Sequence, residues 1–372
     1  MSILGFCHRV IILICVYVLI AVLAFAAAPV VSNVVVTPVT GQVNISYDLE
    51  ADDACKITVL VSNDNGASYK IIPTALSGTG YGDQITSGTG KQIIWQPGAE
   101  TPVIELGSNY KLRVIARDNP TQNEHQFASF VKLEGGTFNN GTSDVTLSTF
   151  FIDKYEITQS DYEAVMGTNP SYFTGVTNGP VEQVSWFNAI EYCNRRSLQE
   201  GLTPCYSYST DGSNTSDWPA GWNIIWQNHT NVSCNWTVNG YRLPTEMEWM
   251  FAAKGGNQSQ GYTYSGSNDL NAVGWYRDNS GRTTHPVGTK AANELGIFDM
   301  SGNVCEFVWD IYGIYPSGPQ TDPHGVTSGY YRVKRGGSMI GIAVFCTVSS
   351  ISFAGATLID NDLGFRCVRV SP

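Results

Sequence analysis

A chain of 372 residues has room for about two domains. Its 32 acidic side chains outnumber 21 basic ones for a net charge of −11, and no Lys/Arg-rich run occurs, so a nucleic-acid partner is excluded. With 38 glycines, 12% aromatic residues and only 14% charged residues, the composition suits a turn-rich exported protein better than a cytosolic helical enzyme.

Arg9 precedes an apolar run, Val10–Phe25, that closes on the small-x-small pattern Ala24-Phe25-Ala26. This predicts a cleaved export signal over residues 1–26, and a secreted, periplasmic or cell-surface location. The competing reading is an uncleaved anchor, because the run approaches the length that spans a bilayer. No basic cluster follows it, and no later stretch is apolar enough to span, so no membrane span is expected after cleavage. Cysteine usage agrees with export. Cys55, Cys193, Cys205, Cys234, Cys305, Cys346 and Cys367 lie beyond the signal. Their odd number requires a free thiol or an intermolecular bond. No C-x-x-C and no His/Cys cluster is present, which argues against zinc.

From residue 27 to 118 the chain reads as short strands between turns. Val34–Val36, Gln42–Tyr47, Lys56–Val61, Tyr69–Ile72, Gln92–Trp95 and Tyr110–Ile115 are β-rich. Asn63–Gly66, Ser77–Gly80 and Pro97-Gly98 punctuate them. The spacing predicts an all-β sandwich of immunoglobulin-like or fibronectin type, acting as a spacer or adhesive module. The polar stretch 119–129 reads as a linker.

The remainder, 130–372, is predicted to be an irregular α+β domain with three short helices. Thr158 and Asp161 approximate a capping box before Tyr162, Val165 and Met166. Ser185 caps a second helix that carries Trp186, Ala189, Ile190 and Cys193 on one face and ends near Gly201. Thr245 and Glu248 form a capping box before Trp249, Ala252 and Ala253, and Gly255 is placed to stop that helix.

An ordered series of motifs runs through this second domain. It opens with Phe130–Phe138 and continues through Tyr155-Glu156-Ile157-Thr158-Gln159, Asn169-Pro170-Ser171 and Pro180–Trp186. It goes on with Tyr192-Cys193-Asn194, Asn239–Glu246 and His285-Pro286-Val287-Gly288. Gly302-Asn303-Val304, Arg335-Gly336-Gly337-Ser338 and Gly364-Phe365-Arg366 complete it. The series resembles the formylglycine-generating-enzyme/sulfatase-modifying-factor family, whose fold is a compact variant of the C-type-lectin-like domain.

That resemblance implies a specific chemistry to look for. The oxidising members convert the cysteine of a Cys-x-Pro-x-Arg sulfatase peptide to formylglycine. They use Cu(I) on two thiolates, three and eight residues after the Ser of Gly-Gly-Ser, and soft thiolates suit that ion. Counting from Ser338, these positions are Gly341 and Cys346, so one ligand is missing and copper is not expected. The run Thr347–Phe353, which follows the second position, offers no charge and no strong ligand. Members that use non-haem iron need three histidines. Here His125, His229, His285 and His324 show no suitable spacing, and His285 reads as a packed or hydrogen-bonded residue.

The family's calcium segment reads Asp299-Met300-Ser301-Gly302-Asn303-Val304-Cys305-Glu306. It implies an oxygen set of the Asp299 and Glu306 carboxylates with the Gly302 and Val304 carbonyls. A looser second site would lie around Asn271, Asn279 and Gly281. Cys346 is expected to bridge to Cys367, with a solitary reactive thiol as the alternative, and Cys205 to bridge to Cys234. Cys193 is expected to be buried and inert, and Cys305 to serve packing. Between Tyr206 and Trp236, the residues Trp218, Trp222, Trp226 and Trp236 form a possible ligand surface for a glycan or protein, or else pack the insertion onto the domain. The expectation is an exported, non-catalytic binding or structural module that engages a protein or glycan at the cell surface, or self-assembles. A sulfatase-modifying oxidase, or another oxidase in the same pocket, is the rival.

Overall fold

The structure, a computed structural model, describes residues 29–118 and 130–370 apart from 52–53, 64, 66–70, 72, 101–102, 105 and 201. The expected signal segment 1–26, the linker 119–129 and His125 lie outside the described residues.

Alternation builds the first domain. Along Gln42–Glu50 every second side chain points inward, so Val43, Ile45, Tyr47 and Leu49 are buried while their neighbours face out. The strands Val30–Val39, Gln42–Glu50, Gly88–Trp95 and Leu76–Ser77 form one sheet in that order. Gly82–Ile85, Cys55–Ser62 and Lys111–Asp118 form the other. Their inner faces share a core of Ile45, Tyr47, Ile57, Val59, Ile93 and Trp95. Glu100 locks one edge: its carboxylate accepts the Trp95 indole N–H at 2.8 Å and the backbone N–H groups of Thr74 and Ala75.

The second domain begins with Phe130–Leu133, which pairs antiparallel with Phe150–Asp153. That central strand also pairs with Val368–Val370, so the two ends of the domain are joined in one three-stranded sheet. A second sheet places Ser352–Ala354, Arg332–Arg335, Cys305–Ile311 and Leu363–Gly364 side by side. The helices α1 (Gln159–Met166), α2 (Trp186–Gln199) and α3 (Glu246–Ala253), with the single turn α4 (Leu270–Val273), fill the space around them.

The caps behave as their chemistry requires. Thr158 Oγ1 accepts the Asp161 N–H, and Gly167 ends α1 in the left-handed conformation. Ser185 and Asn188 make a reciprocal box at α2, and Thr245 and Glu248 make one at α3. Loops join two adjoining cores. One centres on α2, through Trp186, Phe187, Ile190, Tyr206 and Phe365. The other centres on α3, through Trp249, Met250, Phe251, Ile297 and Val308. Among the described residues no helix is long and apolar enough to cross a membrane.

Candidate functional site

The strand Arg332–Arg335 runs into Gly336-Gly337-Ser338, where two successive glycines adopt positive φ of 94° and 70°. A Cβ on Gly337 would lie 2.6 Å from Cys346 Sγ and 2.8 Å from the Phe345 carbonyl, so only glycine lets the following turn fold back this closely. Ser338 is fixed by donating to Asp362 Oδ2 at 2.6 Å. A cleft of about 330 Å³ opens beside this turn, with Cys305, Lys334, Ser338, Gly341, Phe345 and Asp362 on its wall.

The two positions three and eight residues after Ser338 are treated differently by the fold. Gly341 faces the cleft, where its missing side chain would approach only Ser338. Cys346 does not line the cleft. It closes a 3-10 turn, Ala343–Cys346, and packs fully buried against Leu270 and Val273. Burial pushes its thiol up to about 12, opposed by a hydrogen bond from the Ser338 backbone. A thiol in this setting is protonated at neutral pH and is a weak nucleophile.

The cleft does hold one thiol that sequence reasoning left to packing. Cys305 lies on its wall and donates to the Arg335 carbonyl at 3.2 Å. Burial pushes it up to about 12, with the Lys334 charge opposing. Strand alternation was the available signal. Cys305 and Glu306 are adjacent in one strand, so if Glu306 points inward, Cys305 points the other way.

Glu306 is wholly buried and its carboxylate is committed. Arg366 donates from Nε at 2.8 Å and from Nη2 at 2.7 Å, and the Trp249 indole donates at 2.9 Å. Asp299 accepts the Gly288 N–H at 2.7 Å through Oδ2, whereas its buried Oδ1 has no partner among the described residues. Glu156 completes the cluster, accepting from Asn303 Nδ2 at 2.6 Å and from the Val304 N–H at 3.0 Å. Burial is the main reason Asp299 is pushed up to about 6, with Gly288 and Arg366 opposing. Burial and repulsion from Asp299 and Glu306 hold Glu156 well above the usual carboxylate range.

The expected four-oxygen calcium set is thus only partly preserved. Asp299 offers a free oxygen, but Glu306 serves first as the partner of a guanidinium. Among the described residues no three His, Cys, Asp or Glu side chains converge as a metal group. At the looser second location, Lys290 Nζ donates to the Asn271 carbonyl at 2.6 Å, and Asn279 turns inward to the Gly274 carbonyl at 3.0 Å.

Each of the three described histidines after the signal is packed against a tryptophan. His285 stacks on Trp275 at 3.7 Å and meets the Ser280 carbonyl at 2.8 Å, as expected of a packed residue. His324 stacks on Trp236 at 3.6 Å, and His229 is buried beside Trp226.

One expectation is corrected. Cys367 does not meet Cys346. Its Sγ lies 3.7 Å from Cys193 Sγ, where α2 faces the last strand across the larger core. Cys346 belongs to a separate small cluster beside α4. Cys205 and Cys234, by contrast, are in thiol hydrogen-bond contact where Tyr206–Tyr208 pairs with Val232–Cys234. Non-reducing peptide mapping after oxidative folding is therefore expected to recover Cys193–Cys367 and Cys205–Cys234, with Cys346 alkylated only after unfolding. A Cys346–Cys367 peptide would contradict this packing.

The tryptophans divide between the two readings, packing and ligand surface. Trp218 and Trp222 are only 6% and 7% exposed, and pack edge-on at 4.5 Å in the core with Tyr208 and Phe187. Only Trp226, near the exposed Tyr330, and Trp236, beside Arg242, stay partly accessible.

Comparison with known proteins completes the site. Residues 116–371 match the sulfatase-modifying factor enzyme 1-like domain. The protein named chaperone protein LppX of Paenibacillus barcinonensis is 40% identical over 64% of this chain and 88% of its own. The formylglycine-generating enzyme of Thermomonospora curvata is 27% identical over 67% of this chain and 96% of its own. Among solved structures, Treponema denticola variable protein 1 superposes with a TM-score of 0.57 at 33% identity, covering 65% of this chain and 94% of that one.

Proposed function

Because the chain belongs to the sulfatase-modifying factor family through residues 116–371, we propose that it is an exported, non-catalytic member acting as a surface binding or structural module. One observation carries this reading. The position that should supply a second thiolate is Gly341, and Cys346, behind Gly337, is fully buried with its thiol pushed up to about 12. The family's thiolate pair is thus broken, and a lone sulfur holds Cu(I) weakly. Titration of the reduced protein with Cu(I) under a competing chelator is the test. No stoichiometric copper is expected, and one tightly held equivalent would favour the oxidase reading.

The surface around the cleft supports a partner of protein character. From Met339 to Ile359 there is no charged residue. The stretch exposes Ile340, Val344, Phe345, Phe353, Leu358 and Ile359. Aliphatic groups in such number suit an apolar protein surface, whereas sugars need aromatic faces with hydrogen-bonding groups beside them. A relative named a chaperone agrees with a role in holding another protein. The two-sheet domain ahead of it would serve as spacer or assembly element.

Calcium is proposed at Asp299, supported by the free Oδ1 and by three buried carboxylates against the single Arg366 guanidinium. Glu306 would have to share its oxygens between the ion and Arg366. The Gly302 and Val304 carbonyls are the neutral ligands that the segment offers. A ligand that binds only the folded state stabilises it by about 2.7 kcal/mol at 100-fold over Kd. Chelation is therefore expected to lower the melting temperature, and Asp299→Ala to remove that sensitivity. An unchanged melting curve would leave Arg366 as the cluster's cation and dismiss the metal.

A further inference from the structure

The seven cysteines beyond the signal are all described, and Cys234 alone among them is partly exposed. It closes the aromatic insertion together with Cys205, which is 2% exposed. Tyr206 lies opposite Cys234 in a two-stranded ribbon, the Asn235 N–H donates to the Cys205 carbonyl at 2.8 Å, and the two thiols are in contact. A cation is fixed beside them. Arg242 gives Nη1 and Nη2 to Glu248 at 2.7 Å each and lies over the Trp236 ring at 5.0 Å. Its buried Nε has no partner among the described residues, so the guanidinium still has a donor to offer. The hydrogen bond from the Cys234 thiol, then the Arg242 charge, the Gly240 N–H and Arg369, hold Cys205 below the usual thiol range against the effect of burial. Burial and that same contact push Cys234 well above it.

The second pair is set differently. Cys193 and Cys367 are fully buried, with their sulfurs 3.7 Å apart. Burial, the Cys193 contact and the Asp153 charge push Cys367 well above the usual range, with Arg196 opposing. A disulfide exchanges fastest where one sulfur can be reached and the other leaves as a stabilised thiolate. Only the first pair offers both. We propose that Cys205–Cys234 is an exchange site for small external thiols, entered at Cys234, and that Cys193–Cys367 is a fixed structural bond. An external thiolate attacks the Cys234 sulfur and forms a mixed disulfide there. The Cys205 sulfur leaves with the electron pair of the broken bond and is held as a thiolate by Arg242 and the Gly240 N–H. A second external thiolate then attacks the first at its sulfur, forms an external disulfide with it, and releases Cys234, which takes a proton from water. Two external thiols are oxidised, and the protein pair is reduced by two electrons.

Glutathione is the probe. The full chain, folded under oxidising conditions, is equilibrated in glutathione buffers of increasing reducing strength, quenched in acid, alkylated and mapped by peptide mass spectrometry. The equilibrium constant for reduction of Cys205–Cys234 is expected to exceed that of Cys193–Cys367 by at least about tenfold. At short times the glutathione adduct is expected on Cys234. Cys205→Ser is expected to trap that adduct, and Cys234→Ser to leave Cys205 without one. Both wild-type readouts decide the matter even where a serine variant fails to fold. Opening of the two pairs at the same reducing strength, or a wild-type adduct on Cys205, would overturn the proposal.

Discussion

Arg366→Met is expected to cost about 3–5 kcal/mol of stability, a large part of a typical domain's margin. The side chain is wholly buried and every polar group on it is used. It meets both oxygens of Glu306, and it also donates to the Asp153 carbonyl at 3.1 Å and the Phe298 carbonyl at 3.0 Å. Removing it strands Glu306 in a cluster already crowded by Glu156 and Asp299, and leaves two carbonyls without donors. The methionine would fill much of the volume, so the loss reports charge and hydrogen bonding rather than a cavity.

Urea unfolding of the wild type and variant measures this cost. The double variant with Glu306→Gln is expected to recover part of it, because the uncompensated charge is then gone. A loss below about 1 kcal/mol would mean that a cation other than Arg366 neutralises Glu306.

Local chemistry was readable from residues, and distant pairing was not. The starts of α1, α2 and α3 follow from Thr158, Ser185 and Thr245, because a cap is decided within four residues of chain. The alternation in Gln42–Glu50 likewise declares its buried face. The end of α2 falls near Gly201 as expected: the helix stops at Gln199 with Glu200 as its cap.

Cysteine partners could not be read this way. Cys346 and Cys367 are closer in sequence than Cys193 and Cys367, yet α2 lies against the last strand and the turn at Cys346 points toward α4. For the tryptophans, packing and a ligand surface are both open from sequence alone. Trp218 and Trp222 sit in a polar segment that looks like an exposed loop, but Phe187 and Tyr208 provide the apolar surface that buries them. The family segment implies Glu306 as a calcium ligand, and nothing within that segment shows its guanidinium partner. Its strongest partner, Arg366, is 60 residues away.

The second large effect concerns chemistry rather than stability. Formylglycine formation needs two thiolates that converge on Cu(I) and leave room for the substrate cysteine. In this cleft Gly341 supplies none, and Cys346 would have to leave its contacts with Leu270 and Val273 and lose its proton. Cys305 reaches the wall, but it is buried and hydrogen-bonded to the Arg335 carbonyl. Gly341→Cys alone is therefore not expected to restore turnover, since burial keeps both neighbouring thiols, Cys346 and Cys305, protonated. The deciding measurement is mass spectrometry of a Cys-x-Pro-x-Arg peptide incubated with copper-loaded wild-type protein and oxygen. The peptide is expected to keep its cysteine at the level of the protein-free control. An aldehyde product above that control would contradict the non-catalytic reading and make this chain an oxidase with an altered copper site.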